Sequence, residues 1–327
     1  MLPSLPTLIT ALLWLAAGIA SLCTWLGLLS ALDWKLELFS HFRVQYALLL
    51  TVCAAGFLLQ GHMAGMLISL VFLGLNLWLI LPIYRRRASR KAAGRTYRLF
   101  FANILGTNTN YPKLFMAMRN AGADVILLVE VRPNHLHALL PELTSYPYQF
   151  SQPSEDNFGL AIFSRLPLHS AEAVTFDEIC TPALAARLQL DDTPLTLLGI
   201  HPFPPKSRAQ ATRRDHQLTK TAAYIAAQPG ELLLAGDLTS TSWSSAFQRL
   251  VKASHLLDSR QGIGIQPSWP VNNPLLRIPI DHALHTPGIT IHARRLGLPT
   301  GSDHFPLLLD FSITSRQDTP FADKITP

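Results

Sequence analysis

Three long apolar stretches open the chain, roughly Leu8 to Leu32, Val44 to Gln60 and Ala64 to Tyr84, and residues 1–84 carry almost no charge. Each approaches the ~20 residues that a helix needs to cross a bilayer core. The spacing predicts three transmembrane helices, the second and third joined by the tight turn Gly61, His62 and Met63. Trp14, Trp25, Trp34, Trp78 and Tyr84 fall within or near the ends of these stretches, where amphipathic rings sit at the membrane–water boundary. A cleaved signal peptide would explain only the first stretch, and residues 1–10 lack its usual positive charge. Two spans plus an interfacial helix is the alternative.

From about Arg98 the pattern shortens and alternates. Leu99 to Leu105 reads as a strand, Tyr111 to Ala121 as a helix, and Val125 to Val131 as a strand. Gly159 to Ser164, Ala183 to Leu190 and Leu195 to His201 continue the strands. A helix over Arg208 to Ala227, a strand over Glu231 to Asp237 and a short helix after Trp243 follow. The end is mostly strand: Ile278 to His285, Ile289 to Leu296 and Pro306 to Ile313. Buried strands need cover on both faces, so a layered α/β domain of about 230 residues is expected. No internal repeat, low-complexity tract or P-loop is visible, and the polar tail after Ser315 is expected to be loose.

Composition sharpens this division. Hydrophobic residues make up 49% and charged residues 15%, against about 25% charged in ordinary globular domains. The apolar excess sits in the first 84 residues. The net charge of +6 is equally local, because Arg85, Arg86, Arg87, Arg90, Lys91, Arg95 and Arg98 form a run without an acid. Without these seven, 20 Lys and Arg face 21 Asp and Glu. The basic face of a dedicated duplex-DNA binder is therefore missing, which counts against a nuclease. Cys180 is the only cysteine outside the apolar stretches that hold Cys23 and Cys53, so the domain has no internal disulfide.

With three spans, the connection holding Lys35 and Arg43 shares a side with everything after Tyr84, and the opposite side has no Lys or Arg. The positive-inside rule then places the globular domain in the cytoplasm. The basic run serves as a stop-transfer signal that also touches anionic headgroups.

Polar residues collect where the strands end. Asn103 lies near the end of the first strand, Glu130 at the end of the second, His201 closes Leu-Leu-Gly-Ile-His, and Asp237 closes Leu-Leu-Leu-Ala-Gly-Asp. Asp281 and His282 interrupt an apolar strand, and Ser302-Asp303-His304 precede the last one. Carboxylates at the ends of buried strands are costly unless a metal or partner satisfies them. A cleft of such oxygen ligands suits Mg²⁺ or Mn²⁺ rather than zinc. Each residue also has a plain structural explanation. Asn103 could cap a turn, Glu130 could be a solvated acid ahead of Pro133, and His282 is expected to pack beside Asp281. His135, His137, His285 and His292 read as surface or loop residues. His216, with Arg213, Arg214 and Lys220, reads as a solvated helix face.

Taken in order, these elements resemble the endonuclease/exonuclease/phosphatase superfamily with its DNase I-like fold, over roughly residues 97 to 313. The ordered set is Asn-Ile-Leu at Asn103, strand-terminal Glu130, Gly-Leu-Ala-Ile-Phe-Ser at 159–164, Ile-His at 200–201, Gly-Asp at 236–237, Ile-Asp-His at 280–282 and Gly-Ser-Asp-His at 301–304. The apolar preamble, with Trp243 and Trp269, is similar to the membrane-bound, VanJ-like bacterial branch.

The resemblance implies a four-layer α/β sandwich and a metal-dependent phosphoester hydrolase. Glu130 would be the main metal ligand, helped by Asn103 and Asp303. Asp237 would orient or deprotonate the attacking water. His304 would face the phosphoryl group with Asp281 holding its imidazole, and His201 would be a second phosphate-facing histidine. Two positions depart from the family. Gly-Asp-Leu-Thr replaces Gly-Asp-Phe-Asn, so Thr239 stands where an amide binds phosphate, and Val129 replaces the Gln before the strand-terminal Glu. The implied domains are a transmembrane anchor (1–84), a basic linker (85–98), a catalytic domain (99–315) and a tail (316–327). The expected partners are the bilayer of a bacterial inner membrane and a phosphorylated, lipid-linked substrate, with nucleic acid the lesser alternative. Family resemblance favours an exterior catalytic domain, against the charge rule.

Overall fold

Strands of alternating or continuous apolar character build two six-stranded sheets that pack face to face. The structure is a computed structural model, and it describes residues 4–85, 95–191 and 193–313. The basic positions Arg86, Arg87, Arg90 and Lys91 and the tail 316–327 lie outside the described residues.

The first sheet contains β1 (Tyr97–Asn103), β2 (Val125–Val129), β3 (Tyr148–Gln152), β4 (Leu160–Ser164), β11 (Ile289–Leu296) and β12 (Leu307–Ile313), in the order β11-β12-β1-β2-β4-β3. The second contains β5 (Leu168–Val174), β6 (Ala183–Leu190), β7 (Thr193–Ile200), β8 (Glu231–Asp237), β9 (Leu257–Asp258) and β10 (Asp281–His285), in the order β5-β6-β7-β8-β10-β9. Alternate residues from both sheets, among them Leu99, Phe101, Leu127, Leu197, Leu233 and Leu309, fill the space between them. On the outer face of the first sheet, α5 (Tyr111–Ala121) and α6 (Pro133–Leu139) cover Phe100, Ile126, Leu128 and Phe163. On the outer face of the second, α7 (Arg208–Ala227) and α8 (Ser245–Ser254) cover Leu198, Ile200, Leu232 and Leu234. Helix, sheet, sheet and helix make the four layers.

Each sheet has one parallel pair at its centre. β1 and β2 are joined through α5, and β7 and β8 through α7. A parallel pair requires a crossover, which brings both C-terminal strand ends to one edge. Asn103 pairs with Val129 in register, and Asp281 of antiparallel β10 pairs with Asp237. Gly236 precedes Asp237 because a Cβ there would fall 2.3 Å from the Ile200 carbonyl oxygen.

The N-terminal third forms α1 (Leu5–Leu28), α2 (Trp34–Leu38), α3 (Arg43–Leu59) and α4 (Met63–Ile80). Of the three expected spans, two meet the length and hydropathy needed to cross a membrane: Leu5–Leu28, and α4 with its continuation to Tyr84. The middle helix is apolar but 17 residues long. The short α2 was not apparent, because its Asp, Lys and Glu interrupt the apolar pattern. α1 turns its small residues Ala17, Ala20, Ser21, Thr24 and Gly27 inward, which lets neighbouring helices approach closely. Thr24 accepts from Arg43 Nη1 at its carbonyl (2.9 Å) and from Asn76 Nδ2 at its hydroxyl (2.8 Å). A Cβ on Gly27 would lie 2.6 Å from Arg43 Nη2.

This helical unit docks on the α/β domain. Glu37 of α2 is buried and accepts from Arg214 Nη2 at 2.7 Å. His41 Nδ1 lies 3.1 Å from the Thr241 hydroxyl, and the Ser30 and Leu79 carbonyls accept from Ser245 and Trp243. Three readings of polar side chains as surface residues are therefore corrected. Arg214 is fully buried because the N-terminal helical unit covers that face of α7. His135 is buried beneath residues 104–110, its ring nitrogens 2.8 Å from the Asn108 carbonyl and 3.2 Å from the Arg132 N–H. His285 is buried in β10. The weakly alternating, half-exposed β3 and β5 were also not legible beforehand.

Replacing Arg214 by Met leaves the Glu37 carboxylate in a dry interface, and one-sided loss of a buried pair costs roughly 3–5 kcal/mol. The Arg214→Met protein is expected to melt well below wild type in detergent, with most of the loss recovered by adding Glu37→Leu. Melting followed by intrinsic fluorescence checks this, and an unchanged midpoint in Arg214→Met would make the pair dispensable.

Candidate active site

The two crossovers set the site. β1 delivers Asn103, the residue after β2 is Glu130, the residue after β7 is His201, and β8 ends on Asp237. Asp281 begins β10, and Asp303 and His304 lie just before β12. All seven meet at one edge of the sandwich, where the two sheets face each other. Leu105, Glu130 and Thr239 adopt positive φ angles of 61°, 61° and 51°. Such backbone costs a non-glycine residue energy and gathers at functional sites. Here it turns the chain sharply at the strand ends and aims Glu130 inward.

Asn103 bridges the sheets. Its amide nitrogen donates to Glu130 Oε1 at 2.8 Å and to Asp237 Oδ2 at 3.1 Å, while its oxygen accepts from the Leu105 N–H. Glu130 Oε2 accepts from the Gly106 N–H at 2.9 Å, and Oε1 lies 3.4 Å from His201 Nε2. Burial alone would raise the Glu130 carboxyl. The His201 hydrogen bond and charge, the Gly106 N–H and the Asn103 amide outweigh it and hold the group at about 2. Against its own burial, the same carboxylate and Asp237 raise His201 above its ordinary value.

His304 stands between carboxylates. Its Nδ1 is 2.9 Å from Asp281 Oδ2, and its Nε2 is 3.6 Å from Asp237 Oδ2 and 4.0 Å from Asp303 Oδ1. Burial disfavours the charged ring, but Asp281 and Asp237 overcome that and raise it to about 10. Burial pushes Asp237 upward, with Asp281 adding to the rise and both histidines opposing it. Asp281 Oδ1 has no hydrogen-bond partner among the described residues. Asp303 is half exposed and accepts from Trp269 Nε1 at 2.8 Å. Thr239 donates its backbone N–H to Asp237 Oδ1 and its hydroxyl to the Phe203 carbonyl at 3.2 Å. His282, by contrast, faces away from this edge, held by Arg260 and the Ser240 carbonyl and packed on Phe247.

These groups open into a cavity of about 660 Å³. Phe158, Phe203 and Trp269 form an aromatic rim around the polar floor, and Lys206 is the one lysine or arginine among the described residues that line it. Leu38, the last residue of α2, and His41, from the α2–α3 connection, also line it. Sequence reasoning missed both, since nothing local ties a turn between N-terminal helices to a pocket built by residues 105–304. Glu130, Asp237, Asp281 and Asp303 outnumber the two imidazoles, and the donors are hard oxygens. That set fits a divalent cation such as Mg²⁺ or Mn²⁺ better than zinc. Asp237, Asp281 and His304 also place ligand atoms within 4.8 Å of one another.

A family model described as the Endonuclease/Exonuclease/phosphatase family matches residues 100–304. TDP2 of D. rerio, solved with a single-strand DNA product, shares 18% identity at a TM-score of 0.56, over 66% of this chain and 99% of that one. The endonuclease/exonuclease/phosphatase of Bacteroides vulgatus shares 14% identity at a TM-score of 0.57, over 67% and 99%. That of Beutenbergia cavernae shares 16% at 0.52, over 68% and 72%. No curated protein matches the chain. At these identities the solved structures establish the fold.

Because His304 is raised from 6.5 to about 10, its contribution to folding is complete below pH 6.5 and is lost as pH climbs towards 10. In EDTA, the melting midpoint is expected to fall over that window more steeply in wild type than in His304→Gln. Identical slopes would remove the imidazolium as the cause.

Proposed function

The chain belongs to the endonuclease/exonuclease/phosphatase family, and from that premise we propose a membrane-anchored phosphoester hydrolase, dependent on Mg²⁺ or Mn²⁺, that acts on a lipid-linked phosphate, pyrophosphate or phosphodiester. The observation that carries the lipid part is the shared cavity, where Leu38 and His41 of the anchor stand opposite Glu130, Asp237 and His304. A pocket walled by its own membrane anchor favours a substrate held at the bilayer. The apolar preamble adds the likeness to the VanJ-like branch.

Glu130 would hold the cation with Asp303 and, after a half-turn of its amide, Asn103. The cation supplies charge neutralisation at the phosphoryl oxygens and a lowered pKa for water. Asp237, its carboxyl raised by burial, accepts the proton as the water oxygen bonds to phosphorus. His304 is protonated at neutral pH and gives its proton to the leaving oxygen as the P–O bond breaks. Asp281 keeps the imidazole aimed from behind, and His201 faces the phosphoryl oxygens from the Glu130 side. Thr239, with its hydroxyl on Phe203, offers phosphate less than the family's amide does.

Three crossings are supported by where the helix ends rest. The chain just after α1 and the end of α4 touch Ser245 and Trp243 on one side. α3 must therefore return the chain between them. Its 17 residues rise roughly 25 Å, short of a ~30 Å core by an amount that local thinning absorbs. The complete Lys and Arg asymmetry favours the cytoplasmic side. A reporter fused after Pro327 is expected to be active only in a cytoplasmic format; periplasmic activity would reverse the orientation.

The TDP2 structure with DNA favours a second reading, a membrane-tethered nuclease. The near-neutral domain and a cavity lining with one lysine and no arginine among the described residues weigh against it. The deciding assay is phosphate release by the full-length protein in detergent from a lipid pyrophosphate, a phospholipid and an oligonucleotide, with Mg²⁺ or EDTA. Lipid turnover is expected, abolished by EDTA and Glu130→Ala and lowered ~10²–10⁴-fold by Asp237→Asn. Cleavage of the oligonucleotide alone would make the protein a nuclease. Silence on all three would leave a phospho-ligand-binding relative.

A further inference from the structure

Two leucines in the connection between the cavity residues Trp269 and Ile278 are exposed among the described residues. Leu275 is 80% exposed and Leu276 52%, in the connection that leads from Trp269 to β10. An exposed apolar pair costs solubility and marks a contact surface when its neighbours are also apolar. The base of this connection is pinned. Arg277 Nε donates to the Pro270 carbonyl (3.0 Å) and Nη2 to that of Val271 (2.5 Å), and the guanidinium lies 4.9 Å from the Phe305 ring centroid. The Leu276 N–H donates to Asn273. The two side chains are thus presented by a held turn.

Their surroundings identify the contact. Gln45, in the first turn of α3, donates to the Arg277 carbonyl at 3.0 Å. One and two turns on, Leu48 and Val52 are 65% and 64% exposed on the outward face of α3, the face that meets lipid in the anchor reading. The leucine pair is thus continuous with the lipid-facing surface at the level where α3 begins. Ile278, next in sequence after Arg277, lines the cavity with Ile280 and Leu38. The connection that carries Leu275 and Leu276 therefore joins the first turn of α3, through Gln45 and Arg277, to the cavity lining at Trp269 and Ile278.

We propose that Leu275 and Leu276, with Leu38, form an apolar lip immersed in the bilayer surface, over which the hydrocarbon part of an amphiphilic phosphoester passes from the membrane into the cavity. The passage rests on the lipid-hydrolase reading; the immersion does not. Two measurements separate them. With p-benzoylphenylalanine in place of Leu276, the full-length protein in nanodiscs is expected to form a lipid adduct on irradiation, and its absence overturns the lip. The Leu275→Ser/Leu276→Ser protein is expected to lose roughly tenfold or more in kcat/KM on a long-chain phosphoester in vesicles. On a soluble short-chain ester of the same headgroup it should stay within about twofold of wild type. Equal losses on both esters, or none on either, overturn the passage. A lipid adduct at the Leu276 photoprobe, together with a wild-type protein that cleaves no long-chain ester, would sink the hydrolase reading and the passage together, leaving the immersion standing.

Discussion

Buried carboxylates facing each other across two sheets are the constraint on which the structure turns. Glu130 belongs to one sheet and Asp237 to the other, and both are sequestered from water. Left alone they would repel and take up protons. Asn103 donates to both at once, and His201 and His304 sit within 4 Å of the pair. These contacts also lock the relative position of the sheets at that edge, so the geometry of the site and the packing of the sandwich are a single problem. The excess of acids over imidazoles leaves negative charge that a divalent cation can offset, and this makes the edge suited to phosphoryl chemistry.

The two βαβ units explain why these residues converge. Each crossover delivers two strand ends to one edge, and the units lie in different sheets that face each other. Polar residues placed after apolar runs are therefore gathered without any local motif joining them. The positive φ angles at Leu105, Glu130 and Thr239 are the local expense of turning the chain there. The buried His135 and the Gly106 N–H support that turn from beneath.

The N-terminal helices also have a structural part in the α/β domain. α2 covers Arg214, and the α2–α3 connection reaches Thr241, four residues beyond Asp237. The cavity wall includes Leu38 and His41, the latter kept neutral at about 3 by burial and by the charges of Arg214 and Arg43. A neutral imidazole and a leucine beside a strongly acidic floor give the cavity an apolar side and a polar side, the division an amphiphile would use.

Much of this was legible along the chain. Continuous apolar runs marked β2, β4 and β8 because strands buried on both faces carry no polar alternation. α5, α7 and β11 kept the limits that their periodicity implied. Asn103, Glu130, His201, Asp237, Asp281, Asp303 and His304 stood out because a polar group ending a buried strand needs a reason to be there. The half-exposed edge strands β3 and β5 left weak patterns, since an edge position tolerates either kind of residue. Buried Arg214, His135 and His285 read as surface because polar identity signals solvent unless a distant partner is known. Leu38 and His41 came to the cavity through packing between segments 200 residues apart. Local chemistry thus determined which residues could act, and the three-dimensional packing of N-terminal helices against sandwich decided what they face, because contacts between distant segments leave no periodicity in either one.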